Sequence, residues 1–156
     1  MSAIFGIIDF DGRPVEAAWL KSMQTDLSHR GPDRQGLYQE SSMFLGHMLL
    51  QVTPESVYDT SPYEEHGFVI TADARLDERE AIMDRLNIPE AEREIICDPL
   101  LLLRSFLKFG KSFVKDIYGD FAFAIWDKEK RELFCARDQI GIRPFLYYFQ
   151  DNRFIF

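Results

Sequence analysis

The first residue of this sequence that could do chemistry is Ser2. Once Met1 is removed, a serine hydroxyl beside its own α-amine can perform acyl chemistry, because the amine can act as the base. The other interpretation is that Ser2 is a small polar residue with no reaction to perform. The sequence therefore offers one candidate nucleophile, and its surroundings decide between the two interpretations.

The histidines and cysteines do not predict a metal or redox site. Cys97 and Cys135 are far from each other and from the three histidines, so no CxxC motif is present. His29 and His47 have no cysteine or carboxylate at metal-ligand spacing, and His66 lies in a polar segment. We expect no metal and no cofactor in this chain.

The composition excludes several classes of function. With 18 basic and 26 acidic residues the net charge is -8, and no cluster of Lys and Arg with interleaved aromatics predicts nucleic-acid binding. No apolar run reaches the length of a membrane helix, and the first residues lack the basic region of a signal peptide. A cytoplasmic protein with small or cationic partners is expected.

Hydrophobic periodicity predicts the elements that must position Ser2. Strands come first, helices occupy the middle of the chain, and alternating apolar residues dominate the last third, which is typical of an α+β fold. The predicted strands are Ala3–Asp9, Leu37–Glu40, Met43–His47, Phe68–Ala72, Phe121–Ile125, Leu133–Arg137, Phe145–Phe149 and Arg153–Phe156, and the predicted helices are Val15–Ser28, Glu78–Leu86 and Pro99–Phe109. Because the sequence stops inside a predicted strand, we expect residues 1–156 to be a single domain from the N-terminal part of a longer protein.

Five stretches, in order along the whole chain, carry a resemblance to a known family. They resemble segments of the class II (N-terminal-nucleophile) glutamine amidotransferase domains of asparagine synthetases. The first three resemble, in order, the M-C-x-I-x-G start, the H-R-G-P-D-x-x-G loop and the L-G-H segment of those domains, and the last two together resemble the closing signature. The stretches are Met1–Ile7, His29–Gly36, Leu45–His47, Gly119–Asp127 and Ala136–Tyr148. The resemblance implies a four-layer αββα sandwich of two antiparallel sheets between helices.

The resemblance also implies roles for individual positions. Ser2 stands where the family has its cysteine nucleophile, and Leu49 stands where the family has a carboxylate-binding arginine. The family's N-G-E segment, whose first two residues form the oxyanion hole, corresponds to Thr71, Ala72 and Asp73. Asp73 and Asp98 match the family's acidic positions for the substrate ammonium. Asp98 also fits an N-cap for a helix that starts at Pro99, and Asp73 also fits a turn residue.

Three functions remain open at this stage. The losses at Ser2, Leu49 and Thr71 predict a domain without glutaminase activity that supports an ATP-dependent, amide-forming synthetase domain in cis or in trans. Residues 71–77 also resemble the corresponding segment of β-lactam synthetases and lasso-peptide cyclases. ATP and Mg²⁺ are expected only in that synthetase domain, because no S-G-G-x-D-S loop is present here. The alternatives are an active hydrolase or slow glutaminase that uses Ser2, and a module that binds glutamine, an amine or a peptide.

Overall fold

The computed structural model describes every residue from Met1 to Phe156 and contains nine strands and four α-helices. Three short 3-10 helices follow α1, β3 and α4, at Ser28–Arg30, Pro54–Tyr58 and Lys111–Asp116. The strands are β1 (Ala3–Asp9), β2 (Arg34–Glu40), β3 (Met43–Leu49), β4 (Tyr63–Glu65), β5 (Phe68–Leu76), β6 (Gly119–Asp127), β7 (Glu132–Arg137), β8 (Tyr148–Gln150) and β9 (Arg153–Ile155). The helices are α1 (Ala17–Leu27), α2 (Arg79–Leu86), α3 (Glu90–Arg93) and α4 (Asp98–Phe109).

The strands form two antiparallel sheets. The first has the order β2-β3-β1-β9-β8 and the second has the order β4-β5-β6-β7. In the first sheet β1 is central, because it pairs with β3 on one side and with β9 on the other. The long pairing of β5 with β6, from Phe68 opposite Asp127 to Leu76 opposite Gly119, forms the middle of the second sheet.

Three apolar clusters fill the spaces between the layers. Phe5 and Ile7 of β1 face α1, whereas Ile8 of the same strand faces the second sheet, as expected from the alternation of side chains along a strand. Trp126 fills the space between the two sheets, and the leucines of α4 cover the outer face of the second sheet. The layer order is therefore helix, sheet, sheet, helix, and the predicted αββα sandwich is confirmed.

The element boundaries differ from the sequence prediction at several points. Both β5 and β2 are longer than predicted, since β5 runs on to Leu76 and β2 already starts at Arg34. The strand predicted at 145–149 is instead the short β8, which begins only at Tyr148. The longest helix, α4, has 12 residues, and no helix is long and apolar enough to cross a bilayer.

Candidate functional site

Ser2 lies at the start of β1, beside the end of β3. The Leu50 N–H donates a hydrogen bond to Ser2 Oγ at 3.0 Å, and the Leu50 carbonyl oxygen lies 3.5 Å from the same Oγ. Only 7% of Ser2 is exposed. The hydroxyl is thus held against the end of β3 by the backbone of one residue.

Strand β5 places Thr71 and Asp73 on the face of the second sheet that points toward Ser2. The Thr71 hydroxyl donates to the Gly46 carbonyl oxygen at 3.0 Å, which joins the two sheets. Ala72, between them, points the other way and belongs to the core beneath α4. The alternative that Asp73 is a turn residue is wrong, because β5 continues through it as a regular strand.

A narrow cleft separates Ser2 from Asp73. Its volume is about 30 Å³, and its lining includes Ser2, Leu49 and Asp73 together with His47 and Arg143. A space of this size is close to the volume that one water molecule occupies in the liquid, ~30 Å³. The cleft brings together Ser2, Ala72 and Asp73, whereas Thr71 is not part of its lining, and it is almost filled by protein side chains.

Arg143 closes one side of the cleft by pairing with Asp73. The Arg143 Nη1 to Asp73 Oδ2 distance is 3.6 Å, and each side chain is only 11% exposed. Burial raises the pKa of Asp73 to about 6, and this effect outweighs the opposing attraction of Arg143, the α-amino group and Arg30. Asp73 is consequently a carboxylate whose charge is only partly stabilised by its protein surroundings.

Asp138 determines where Arg143 lies. Its carboxylate accepts four backbone hydrogen bonds, from Ile140, Gly141, Ile142 and Arg143, at 2.6–3.2 Å. Although burial alone would raise the pKa of Asp138, these hydrogen bonds hold it below its usual value. Asp138 forms no ion pair with its neighbour Arg137, and its backbone hydrogen bonds instead fix the loop that carries Arg143.

Asp98 does not line the cleft. It is the first residue of α4, and Cys97 takes the N-cap position, so the alternative that Asp98 is the N-cap is wrong. Its carboxylate accepts a hydrogen bond from the Leu76 N–H at 2.9 Å and pairs with Arg79. These contacts tie the start of α4 to the end of β5.

His47 and Asp59 are buried residues that line the cleft. Burial lowers the pKa of His47 against the opposing field of Asp59, so the ring is neutral near pH 7. The His47 Nε2 atom has no protein hydrogen-bond partner. The structure contains no group of three metal-ligating side chains.

The His29–Gly36 segment holds the same end of β3. A Cβ at Gly31 would lie 2.1 Å from the Met48 carbonyl carbon, so only glycine permits this approach. The Asp33 N–H donates to the Leu49 carbonyl oxygen at 3.1 Å, and Asp33 Oδ2 accepts from the Gln51 N–H at 2.8 Å. This packing places Arg30 at the edge of a second, larger cavity.

The second cavity lies beside the narrow cleft and shares two residues with it. Its volume is about 250 Å³, and Ser2 and Asp73 line both spaces. Arg30 and Leu27 contribute to its walls from the end of α1 and the 3-10 turn that follows. Asp73 is thus accessible from a cavity that is large enough for a small molecule.

Comparison with known proteins establishes the class of this chain. A family model described as a glutamine amidotransferase domain matches residues 1–156. The chain therefore belongs to the glutamine amidotransferase domain family. The four-layer fold described above is the architecture expected from the family resemblance.

The most similar relatives include asparagine synthetases. The chain is 33% identical to a candidate asparagine synthetase [glutamine-hydrolyzing] of Methanocaldococcus jannaschii and 30% identical to asparagine synthetase [glutamine-hydrolyzing] 3 of Bacillus subtilis. Both matches cover 100% of this chain, but only 33% and 26% of the relatives. The chain thus spans about a third of the length of these relatives or less.

A solved structure supports the fold. The glutamine phosphoribosylpyrophosphate amidotransferase of Bacillus subtilis superposes with a TM-score of 0.74 at 16% sequence identity. The match covers 99% of this chain and 41% of that chain. At this identity the likeness shows a shared fold.

Sequence reasoning missed two residues of the site. Arg143 lies at an unspecified position of the closing signature, and Arg30 lies in a loop whose Gly-Pro-Asp residues already fit a turn. The feature of the sequence that could have pointed to a role in the site is that both arginines lie inside motif segments. Only the three-dimensional structure shows that both contribute to the surroundings of Asp73.

Proposed function

We propose that this domain does not hydrolyse glutamine and that it supports an ATP-dependent, amide-forming synthetase domain. The observation that carries the proposal is the closed cleft beside Ser2. About 30 Å³ accommodates a single water molecule, whereas glutamine has about ten non-hydrogen atoms. Ser2 also lines the second cavity of about 250 Å³, so this restriction applies to the side of Ser2 that faces Leu49 and Arg143.

The chemistry of the cleft supports the same proposal. Leu49 is 4% exposed and presents hydrocarbon where a substrate carboxylate needs a cation. The Thr71 hydroxyl is engaged by the Gly46 carbonyl oxygen, so it is not aimed at a developing oxyanion. Loss of one oxyanion donor alone costs roughly 10²–10³ in rate.

The contacts of Ser2 weigh against the alternative of a serine-type hydrolase. Ser2 Oγ already accepts the Leu50 N–H, and its close polar contacts are with backbone atoms of that residue. No side-chain base hydrogen bonds to Ser2 Oγ, so only its own α-amine, freed by removal of Met1, remains as a base.

The relatives support the partner part of the proposal. They are named as glutamine-hydrolysing asparagine synthetases, and this chain matches only a third of their length or less. In our proposal a synthetase domain, in cis or in trans, binds ATP and Mg²⁺ and forms the amide bond. The role of the present domain is then structural support and docking.

Replacement of the nucleophile tests the proposal. The Ser2→Cys variant restores the family's thiol but leaves Leu49, Thr71 and the Asp73–Arg143 pair unchanged. We expect no release of ammonia from glutamine above that of a Ser2→Ala control, with removal of Met1 verified by intact mass. Robust, saturable ammonia release by Ser2→Cys alone would contradict the proposal, because it would show that the cleft still binds glutamine productively.

A further inference from the structure

The exposed apolar residues of the molecule are concentrated in one short segment. Six of the fourteen large hydrophobic residues that are exposed lie between positions 140 and 149, and each is more than half exposed: Ile140, Ile142, Leu146, Tyr147, Tyr148 and Phe149. Their exposed fractions amount to about four whole residues, which is on the order of 800 Å² at roughly 200 Å² each. The largest apolar patch of a typical monomer is only about 300–600 Å². This segment therefore has the apolar area of an interaction surface.

Strand β8 continues this segment and is covered on neither face. Side chains alternate between the two faces of a strand, yet all four residues at positions 146–149 are more than half exposed. The first sheet has five strands and the second has four. The last strand of the second sheet, β7, faces Phe154 of β9 across an apolar cavity of about 520 Å³, so no strand lies opposite β8. β8 is thus a protruding edge strand beside an open apolar cavity.

The free edge of β8 presents backbone groups without a strand partner. The two residues that connect β8 to β9, at positions 151 and 152, have φ values of 50° and 57°, as in a type I′ hairpin turn. This turn is closed between Gln150 and Arg153, which are therefore the hydrogen-bonded pair of the hairpin. The next pair, Phe149 opposite Phe154, is then a pair without mutual hydrogen bonds. The N–H and C=O groups of Phe149 consequently point toward the free edge of the sheet.

β8 also lacks the charged residues that protect other edge strands. Proteins commonly place charges on edge strands, which prevents their pairing with another chain. The three other edge strands each carry two charges: Arg34 and Glu40 in β2, Glu64 and Glu65 in β4, and Glu132 and Arg137 in β7. β8 has none, since it consists of Tyr148, Phe149 and Gln150. In a chain of net charge -8, this is therefore the edge at which two copies approach without repulsion between edge charges.

We propose that two copies of this chain associate through β8, side by side and antiparallel about a twofold axis. A twofold contact requires a surface that is complementary to itself, and an uncharged apolar edge with free backbone groups meets this requirement. Phe149 of one copy lies opposite Phe149 of the other and exchanges both backbone hydrogen bonds with it, which joins the two five-stranded sheets into one continuous sheet. The exposed apolar area equals the ~800 Å² that each partner contributes to an interface of standard size.

The inference goes beyond the proposed function and does not depend on it. The pairing places the Phe149 ring of each copy beside the apolar cavity of the other, where β8 has no strand of its own chain opposite it. Ser2 lies at the start of β1 and takes no part in the contact. Association through β8 can therefore fail or succeed independently of whether the domain hydrolyses glutamine.

The oligomeric state of the whole chain in solution tests the proposal, and sedimentation velocity over a range of protein concentrations measures it. We expect a reversible equilibrium between monomer and dimer with a Kd of about 10 µM or tighter, because interfaces of this size have affinities from roughly micromolar to picomolar. A chain that stays monomeric up to about 100 µM would overturn the proposal and leave the edge to a strand of a different protein. Species that grow beyond the dimer with concentration would also overturn it, since a twofold contact closes.

Matched variants locate the interface. Tyr148→Lys places a charge on β8, whereas Tyr58→Lys replaces a tyrosine of similar exposure (49% against 57%) beside β4, at the other end of the second sheet. We expect Tyr148→Lys to weaken dimer formation at least about tenfold and Tyr58→Lys to leave it within about twofold. Far-UV circular dichroism and thermal unfolding establish that both variants are folded. If a folded Tyr148→Lys variant dimerises as tightly as the wild type, the assignment to β8 is refuted.

A pair of charged variants tests the twofold geometry. Phe149→Lys and Phe149→Glu each place two like charges directly opposite each other across the axis, so we expect each folded variant alone to be mainly monomeric. Mixed in equal amounts, the two variants should form a heterodimer, because opposite charges then face each other. If each variant alone dimerises as tightly as the wild type, or if the mixture stays monomeric, Phe149 does not face itself across the axis and the proposed pairing is overturned.

Discussion

The raised pKa of Asp73 predicts how the stability of the domain responds to pH. Its folded-state pKa is about 6, against an ordinary value of 3.8, because burial disfavours the charged form. The folded state therefore binds the Asp73 proton more tightly than the unfolded state. This contribution to stability is fully present below about pH 3.8 and is lost as the pH rises through about 6.

The size of the effect follows from the same values. A difference of one in pKa between the folded and unfolded states corresponds to 1.36 kcal/mol. Ionised Asp73 therefore lowers the free energy of unfolding by about 3 kcal/mol well above pH 6. Asparagine cannot ionise, and the Asp73→Asn variant escapes this cost. We therefore expect the unfolding free energy of Asp73→Asn, relative to the wild type, to rise by about 2 kcal/mol between pH 4 and pH 7, since a small part of the cost is already present at pH 4.

Urea unfolding followed by tryptophan fluorescence, at several values between pH 4 and pH 7.5, measures this difference. Taking the difference between two proteins at each pH cancels the titration of groups that both contain. The control Asp116→Asn replaces an exposed aspartate, with 59% of its side chain accessible, and we expect a nearly constant difference. A difference for Asp73→Asn that stays flat, or that falls as the pH rises, would refute the reasoning.

Further variants test other parts of the site. Asp138→Ala leaves four backbone N–H groups without their acceptor and should lower the free energy of urea unfolding by on the order of 3 kcal/mol. The control is Asp127→Ala, which should cost only about 1 kcal/mol, because Asp127 accepts two hydrogen bonds in an exposed turn. Equal costs would contradict the role given to Asp138. Thr71→Val removes the hydrogen bond to the Gly46 carbonyl oxygen and should lower the free energy of unfolding by about 1–3 kcal/mol. An unchanged free energy of unfolding would show that this bond does not stabilise the packing of the two sheets. Gly31→Ala forces the loop away from Met48 and should lower the melting temperature, and an unchanged value would contradict the close packing.

The fold was largely predictable from the sequence because its signals are local. The alternation in Phe121–Ile125 and the helical spacing of Ala17, Leu20, Met23 and Leu27 depend only on neighbouring residues. The order of the motif segments then indicated the layered architecture. Boundaries were less accurate, since the extension of β5 to Leu76 depends on its pairing with β6, about 50 residues later in the chain.

The site was predicted only in part, because its electrostatics depend on contacts between distant segments. The sequence placed Ser2, Leu49 and Asp73 around one cleft. It gave no indication that Arg143 pairs with Asp73, 70 positions earlier, since that contact depends on how Asp138 folds its loop. Asp98 was misplaced for a related reason. Its carboxylate contacts the Leu76 N–H and Arg79 from another part of the chain, and this contact is not visible in the Asp-Pro pattern.

The proposal that the domain does not hydrolyse glutamine is tested most directly by ammonia release from L-glutamine by the unmodified chain, with Ser2→Ala as the blank. We predict equal, background rates for both proteins at all glutamine concentrations. The cleft that Ser2 shares with Leu49 is only about 30 Å³, its Arg143 is already paired with Asp73, and the Thr71 hydroxyl is hydrogen-bonded to the Gly46 carbonyl oxygen. Saturable ammonia release by the wild type that disappears in Ser2→Ala would contradict the proposal and establish Ser2 as an active nucleophile.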